Sequence, residues 1–348
     1  MTKRLFSIGM PSHRDLPSSA TAIQSALGFC RKEGLQFVLS DNSQDPAKEK
    51  EYAALQRDGF QYIKSPPCGL IENWQQTFEA ADGEFILMMG DDDTLFGFAP
   101  QQDDLCKVQD DVVAIKPSLF AYAETKGVLK TDITPILSST AQQRITENLK
   151  NSSGTNLGFF SFWRKSVIKS VMDLWMIHHP TKGAYGDWAV MHGLISSGKA
   201  VMHPSLCYFY NLQNWFGPPE KISTEVDRHY VNAGLSPGSG AYQLLFIGID
   251  SFIFIGRKDS PVPDKEREQA ATACLSFYLQ GYLKNIPQTS SHPNAQDIAA
   301  LSRKLIGNTT VEQIFNVISD ILDAIRPGLG RQYRDYYAFA IGKPWGTF

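Results

Sequence analysis

The chain of 348 residues is 43% hydrophobic, 20% charged and 11% aromatic, too apolar for disorder and long enough for one large catalytic domain, alone or with an appended lobe. A formal net charge of −3 gives no global electrostatic basis for nucleic acid as the main partner. Five scattered cysteines without a CxxC pair exclude a disulfide framework and a cysteine zinc site, and they suit a reducing compartment.

The start of the chain turns polar at Pro11 before a signal-like apolar core forms. Leu5–Gly9 reads as a strand, and Ser18 or Ser19 is placed to cap a helix carrying Ile23, Ala26, Leu27 and Cys30 that stops at Gly34. Leu35–Ser40 is the next apolar run, followed by a helix over Lys48–Arg57 and a strand over Phe60–Lys64. After Pro66 and Pro67 a helix runs from about Leu70 to Ala81, and Glu84–Met89 is apolar without alternation, as a strand buried on both faces is. This strand-helix rhythm predicts βαβ units and an α/β fold with a parallel sheet.

Beyond Pro100 the pattern loosens. Val112–Tyr122 reads as strand, Ala141–Lys150 and Ser166–Met176 as helices, Asp187 opens a helix stopping at Gly198, and Val201–Tyr210 returns to strand. From about Thr224 the periodicity is helical, with a polar loop near Pro287–Pro293. The expected organisation is a domain over 1–222 and a mainly helical lobe over 223–348, serving the acceptor side or oligomerisation. The longest apolar stretch, Leu244–Gly256, is interrupted by Asp250 and is short of the ~20 residues that cross a bilayer. The expectation is a soluble, cytoplasmic protein.

The strongest chemical feature is Gly90-Asp91-Asp92-Asp93, directly after the buried strand. Open α/β sheets bind ligands at the carboxyl ends of their strands. Three adjacent carboxylates repel one another unless a cation neutralises them, and hard cations such as Mn²⁺ or Mg²⁺ take oxygen ligands while leaving positions open for phosphate. A metal-diphosphate site is one reading; an acidic turn or helix cap is the other. There is no GxxxxGK[ST] loop, HExxH or GxSxG, so NTPase, zincin and α/β-hydrolase chemistries lack their residues.

The run Gly69-Leu-Ile-Glu-Asn73-Trp74, then Ala81-Asp-Gly83-Glu-Phe-Ile-Leu-Met-Met-Gly-Asp91-Asp92-Asp93, resembles family 2 glycosyltransferases of the GT-A fold. That family shows an Asn-bearing helix, an A-x-G-E-[YF] strand entry and an acidic D-x-D motif. Phe6-Ser-Ile-Gly-Met-Pro11-Ser12-His13-Arg14 resembles its first strand and turn, and Phe37-Val-Leu-Ser-Asp41-Asn42-Ser43-Gln-Asp45 its second segment. The likeness covers roughly residues 4–215; it departs at His13 and Arg14, where the family has Tyr-Asn, and by one residue after Asn42.

The resemblance implies a GT-A (Rossmann-like) mixed, mostly parallel sheet flanked by helices, and a metal-dependent inverting transferase using a nucleotide-sugar, with a UDP-sugar as the first expectation. It implies a glycan or lipid-linked acceptor and a role in bacterial surface polysaccharide synthesis. Asp91 and Asp93, ahead of Asp92, would hold the metal; Pro11, Ser12, Arg14, Asp41, Asn73 and Asp91 would border the nucleotide-sugar. Tyr185-Gly186-Asp187-Trp188 resembles the downstream acidic motif, making Asp187 the candidate base, with Tyr185, Trp188 and Trp215 as acceptor-stacking candidates. For Asp187 the alternative is an N-cap, and for the aromatics it is core packing. His178-His179 reads as a loop, and His203 as a structural histidine next to Pro204. The segment from Arg326 interleaves Arg331, Arg334 and Lys343 with Tyr333, Tyr336, Tyr337, Phe339, Trp345 and Phe348, which suits either an anionic membrane surface or a packing helix. Two rivals stand beside this reading: a sugar-1-phosphate nucleotidyltransferase, whose basic Gly-rich loop is absent, and a non-catalytic sugar-nucleotide or glycan-binding protein on the same fold.

Overall fold

The computed structural model describes residues 5–100, 109–152, 155–182, 184, 186–212, 215–287, 290–307 and 310–348. The chain divides into two interleaved units, the first made of Met1–Leu137, Leu149–Lys169 and Gly198–Gln213, the second of Ser138–Asn148, Ser170–Ser197 and Asn214–Phe348. Read along the sequence, the change of pattern falls near residue 222; in space, two earlier segments already belong with the C-terminal helices.

The first unit is built on a sheet. Its opening is β1 (Phe6–Ser12), α1 (Leu16–Glu33), β2 (Gln36–Asp41), α2 (Pro46–Ala53), β3 (Phe60–Lys64), α3 (Leu70–Ala80) and β4 (Phe85–Met88). All of β1, β2 and β4 is buried, which accounts for the unbroken apolar run of β4 and for the absence of an alternating polar face in β1 and β2. The pairs β1–β2, β2–β3 and β1–β4 are parallel, as the strand-helix rhythm predicts. The rest of the sheet is β5 (Thr94–Gly97), β6 (Val112–Ala123), β7 (Gly127–Asp132), β8 (Phe162–Arg164) and β9 (Lys199–Asn211), giving the order β3-β2-β1-β4-β8-β6-β9-β5 with β7 beside β6. Antiparallel pairing enters through β5, β7 and β8, three short strands that the sequence pattern misses.

Helix caps explain two starts. The cap of α1 is Asp15, whose side chain accepts from Ser18 N at 3.1 Å, rather than Ser18 or Ser19. Asp15 is extended and Pro17 occupies the first turn, the arrangement that a missing proline N–H tolerates. The helix closes on Gly34 at φ +71°, a left-handed position that glycine takes without strain. Asp45 caps α2 through Ala47 N and also accepts from Leu16 N at 2.8 Å, so one carboxylate holds the starts of two helices.

The second unit is helical, with most of α4 (Ala141–Asn151), the end of α5 (Lys165–Asp173) and its π-turn Leu174–His178, then α6 (Asp187–Ser196), α7 (Pro219–Asn232), α8 (Gln243–Gly256), α9 (Asp264–Lys284), α10 (Ala295–Arg303), α11 (Val311–Ile325) and α12 (Leu329–Ile341). The stretch Ser239–Gly256, apolar and long enough to cross a membrane, is 83% buried and forms a core helix of this unit. Arg257 follows it fully buried, donating to Ser170 Oγ, Ser197 Oγ and the carbonyls of Gly193 and Phe254; burial and the charge of Arg267 lower its pKa to about 9. His179 is no surface loop residue: it is buried, with Nε2 3.1 Å from Asp250 Oδ1 of α8, a partner separated too far in sequence to be read from the motif. In α12, Tyr333, Tyr336 and Tyr337 are buried, Trp345 packs edge-on to Phe315 and Tyr337, and Phe348 to Phe252. The tail's rings therefore help to close the helical unit; Phe339 alone of them is largely exposed among the described residues.

Candidate active site

In the order β3-β2-β1-β4, the chain moves outward from β1 to β3 and then returns across β1 to β4. The winding direction reverses between β1 and β4, and the crevice outside their carboxyl ends is where open α/β sheets take ligands. Two turns meet there: Ser12–Arg14 after β1 and Gly90–Asp93 after β4. Gly90 makes the second possible, since a Cβ at this position would lie 2.8 Å from Asp93 Oδ2 and 3.1 Å from Asp92 Oδ1.

Asp91 is 5% exposed and gathered into the first turn. Its Oδ2 accepts from Ser12 Oγ at 2.7 Å, His13 N at 3.1 Å and Arg14 N at 3.2 Å, and its Oδ1 from Arg14 Nε at 3.0 Å. The other edge of the same guanidinium reaches Asp92 Oδ2 at 2.6 Å. Arg14 thus bridges two carboxylates of the triplet, a use of the planar fork that a lysine lacks.

Asp41 ends β2 fully buried and accepts from Ser43 N at 3.0 Å and Tyr62 Oη at 2.8 Å. Lys48 of α2, also fully buried, lies 3.2 Å from Asp41 and donates to Ser12 Oγ at 2.6 Å and the Arg14 carbonyl at 2.7 Å. Burial alone pushes the Asp41 carboxyl up, but Ser43, Tyr62 and Lys48 hold it below the usual range; for Lys48 burial outweighs Asp41 and lowers the ammonium. Asn73, 2% exposed, accepts from Ser40 Oγ at 2.6 Å and donates toward the carbonyls of Ser40 and Ser12, so its polar atoms tie the ends of β1 and β2 together. Pro11 lies buried in β1, in register with Ser40. Ser12, Arg14, Asp41, Asn73 and Asp91 therefore form one network. Lys48, its central cation, carries no signal in the sequence, since a lysine in a polar helix reads as a solvated face.

Asp93 is 1% exposed. Tyr208 of β9 donates to its Oδ2 at 2.6 Å, and Asn211 N to its Oδ1 at 2.8 Å. The Tyr208 ring stacks on Phe160, centroids 5.0 Å apart, which fixes the phenol. Burial and the adjacent Asp92 push the Asp93 carboxyl up to about 8, against the hydrogen bonds it receives. Burial and then Asp91 raise Asp92 as well, with Arg14 opposing.

Among the described residues, no group of three or more His, Cys, Asp or Glu side chains is arranged to hold a metal ion by itself. Mg²⁺-type sites differ from such cages: they use one or two carboxylates and complete the shell with phosphate oxygens and water. Asp92 and Asp93 are hard oxygen donors of that kind; burial and the neighbouring carboxylate favour the protonated form of each, a bias that a bound cation would reverse. Both oxygens of Asp91 are engaged by the first turn, and those of Asp93 take one donor each from Tyr208 and Asn211, which leaves Asp92 the least buried carboxylate of the three.

The remaining candidates belong elsewhere. Asp187 stands in the first turn of α6, capped by Gly186 rather than acting as the cap, with Oδ1 accepting from Trp188 N at 3.1 Å. A carboxylate there is stabilised by the helix dipole. Trp188 is half-buried; Trp215 stacks on His229, centroids 5.6 Å apart; Tyr185 lies outside the described residues. Asp187, Trp188 and Trp215 belong to the second unit. His203 Nε2 sits 3.2 Å from the Phe98 carbonyl, in a structural contact.

No protein-family model and no curated protein matches the sequence. Solved structures do. S. aureus TarS 1-349 matches over 97% of this chain and 88% of that one, with 12% identity and a TM-score of 0.50. The same TarS segment in complex with UDP-GlcNAc matches over 96% and 88%, with 13% identity and a TM-score of 0.50. The likeness is one of fold: the chain has the mixed α/β architecture of TarS, a GT-A-type glycosyltransferase.

Proposed function

We propose that the chain is a nucleotide-sugar-dependent glycosyltransferase, with the donor diphosphate seated in the crevice between β1 and β4. The observation that carries this reading is the convergence of Ser12, Arg14 and the triplet Asp91–Asp93 on the reversal point of the sheet. The fold shared with TarS supports it, and the UDP-GlcNAc complex of that protein makes UDP the first nucleotide to try.

The residues divide the work. Asp91 anchors the two turns, and Arg14 is the cation poised at the crevice for a phosphate oxygen. Asp92 and Asp93 would hold a Mn²⁺ or Mg²⁺ ion, which when bound supplies charge neutralisation to the departing diphosphate. Asp41 and Lys48 hold the loop beneath the nucleotide. Asp187 is the proposed base, taking the proton from the acceptor hydroxyl as that oxygen attacks the anomeric carbon with inversion. The acceptor is a glycan or lipid-linked saccharide, as in assembly of a bacterial surface polysaccharide on the cytoplasmic side.

Calorimetric titration of UDP, GDP, CDP and dTDP, first with Mn²⁺ and then with EDTA, tests this. Binding of one nucleotide that is lost in EDTA is the expected result. Binding that survives EDTA removes the metal from Asp92 and Asp93, and no binding of any nucleotide overturns the reading in favour of a non-catalytic glycan-binding protein.

A further inference from the structure

Lys48 is the one charged side chain of α2 that turns fully inward: in Pro46–Ala53 only Lys48 and Tyr52, one turn apart, are buried. An ammonium has three protons and no lone pair, so it donates and never accepts. Lys48 Nζ has three oxygens in reach: Ser12 Oγ at 2.6 Å, the Arg14 carbonyl at 2.7 Å and Asp41 Oδ1 at 3.2 Å. Each of its protons is therefore placed, and with no exposure the group does not meet a ligand itself.

This arrangement fixes the direction of a chain of hydrogen bonds. Because Ser12 Oγ accepts from Lys48, its single proton goes to Asp91 Oδ2, 2.7 Å away. Asp91 also accepts from Arg14 N and Arg14 Nε. Arg14 is thus gripped at its carbonyl by Lys48 and at its amide and Nε by Asp91, while its side chain stays 28% exposed. Two routes lead from Lys48 to the guanidinium, one through the Arg14 main chain and one through Ser12 and Asp91.

The plainer account is that Lys48 and Asp41 only stabilise the fold. A buried ion pair is a poor device for that, since packed apolar residues of similar volume often stabilise as much or more. An apolar side chain at position 48 would still hold α2 against the sheet. It would leave the Ser12 proton free to turn and the Arg14 carbonyl without this donor.

We propose that Lys48 is a positioning residue of the donor site: it fixes the Ser12 hydroxyl and the Arg14 main chain, and so sets the Arg14 guanidinium for a diphosphate that Lys48 never touches. This rests on the glycosyltransferase reading of the same crevice.

The test uses the full chain, with UDP, GDP, CDP and dTDP titrated in Mn²⁺ and the tightest binder carried forward. Lys48→Met combined with Asp41→Asn leaves no bare buried charge, so its Tm should stay close to that of wild type. Its nucleotide affinity is nevertheless expected to fall about tenfold. Ser12→Ala, which lowers affinity on its own, should add little in that background because the link is already cut. The Arg14 Nε–H signal of the ligand-free chain, assigned through Arg14→Lys, should lose order in both variants, seen in its heteronuclear NOE. Wild-type affinity in the charge-balanced variant, an additive loss from Ser12→Ala, or an unchanged Arg14 signal each overturns the positioning role while the transferase reading survives. If the charge-balanced variant does not fold, Ser12→Ala alone decides: wild-type affinity and a wild-type Arg14 signal there overturn the proposal. If wild type binds none of the four nucleotides, the transferase reading itself has failed and the proposal falls with it.

Discussion

Arg14 Nε lies 3.0 Å from Asp91 Oδ1, and the far nitrogen of the same guanidinium lies 2.6 Å from Asp92 Oδ2. One side chain from the turn after β1 thus neutralises two carboxylates of the turn after β4 and latches the turns together. Arg14→Ala removes the guanidinium that faces two of the three carboxylates, so a diphosphate would meet more uncompensated negative charge. Nucleotide binding in the presence of Mn²⁺ should fall at least tenfold, about 1.4 kcal/mol. Equal affinities for wild type and variant, measured by calorimetry, would refute the bridging role.

Asp93 gives a pH signature. Its folded-state pKa of about 8 stands above the ordinary carboxylate value, so the metal-free folded chain keeps a proton that the unfolded chain has released. The stability this confers is complete below about pH 4 and is lost as pH rises through about 8, at up to about 1.4 kcal/mol per pH unit. Thermal melts in EDTA from pH 5 to 9 should fall accordingly in wild type and run flatter in Asp93→Asn. Parallel profiles in the two proteins would remove Asp93 as the source. Added Mn²⁺ should bind more tightly as the proton leaves.

Removing Lys48 tests the buried pair beneath the loop. Lys48→Met strands Asp41, which has no exposure, and breaking such a pair from one side costs about 3–5 kcal/mol. Lys48→Met combined with Asp41→Asn should recover most of that loss, because no bare charge remains. Denaturant titration of the single and double variants decides the point; additive losses would mean the two residues act independently.

Asp187→Asn separates binding from chemistry. The substitution keeps size and the first-turn position in α6 but removes the carboxylate proposed as the base. Transfer from the donor should drop by a factor of about 10² to 10⁴, with nucleotide affinity unchanged. Transfer at the wild-type rate would take Asp187 out of the base role.

Much of the first unit is readable from the chain because local rules agree there. The run from Phe6 to Met88 alternates buried apolar strands with capped helices, and the acidic turn sits where a strand must end. What escapes is set by long-range pairing. β5, β7 and β8 are three to six residues long and take their places from partners such as β9 and β6, not from a pattern of their own. His179 offers no sign of Asp250, and Lys48 looks like any lysine of a charged helix until Asp41 and Ser12 close around it. In the tail, the alternation of arginine and tyrosine is the same for a membrane helix and a packing helix, and the packing of Tyr333 and Tyr337 is visible only in the fold.

Tyr208 reaches Asp93 across 115 positions of chain, and Asn211 across 118. Every motif that suggests a donor site falls before residue 94, yet the side chain that orients the last of them is synthesised far later. The motif block is therefore not portable. A fragment ending before β9, or a hybrid that grafts these first strands onto another scaffold, would carry the full signature and still lack the phenol and the amide that hold Asp93 in place. Recombination between relatives at the acidic turn should yield proteins that pass a motif search and fail at the bench, unless β9 travels with them.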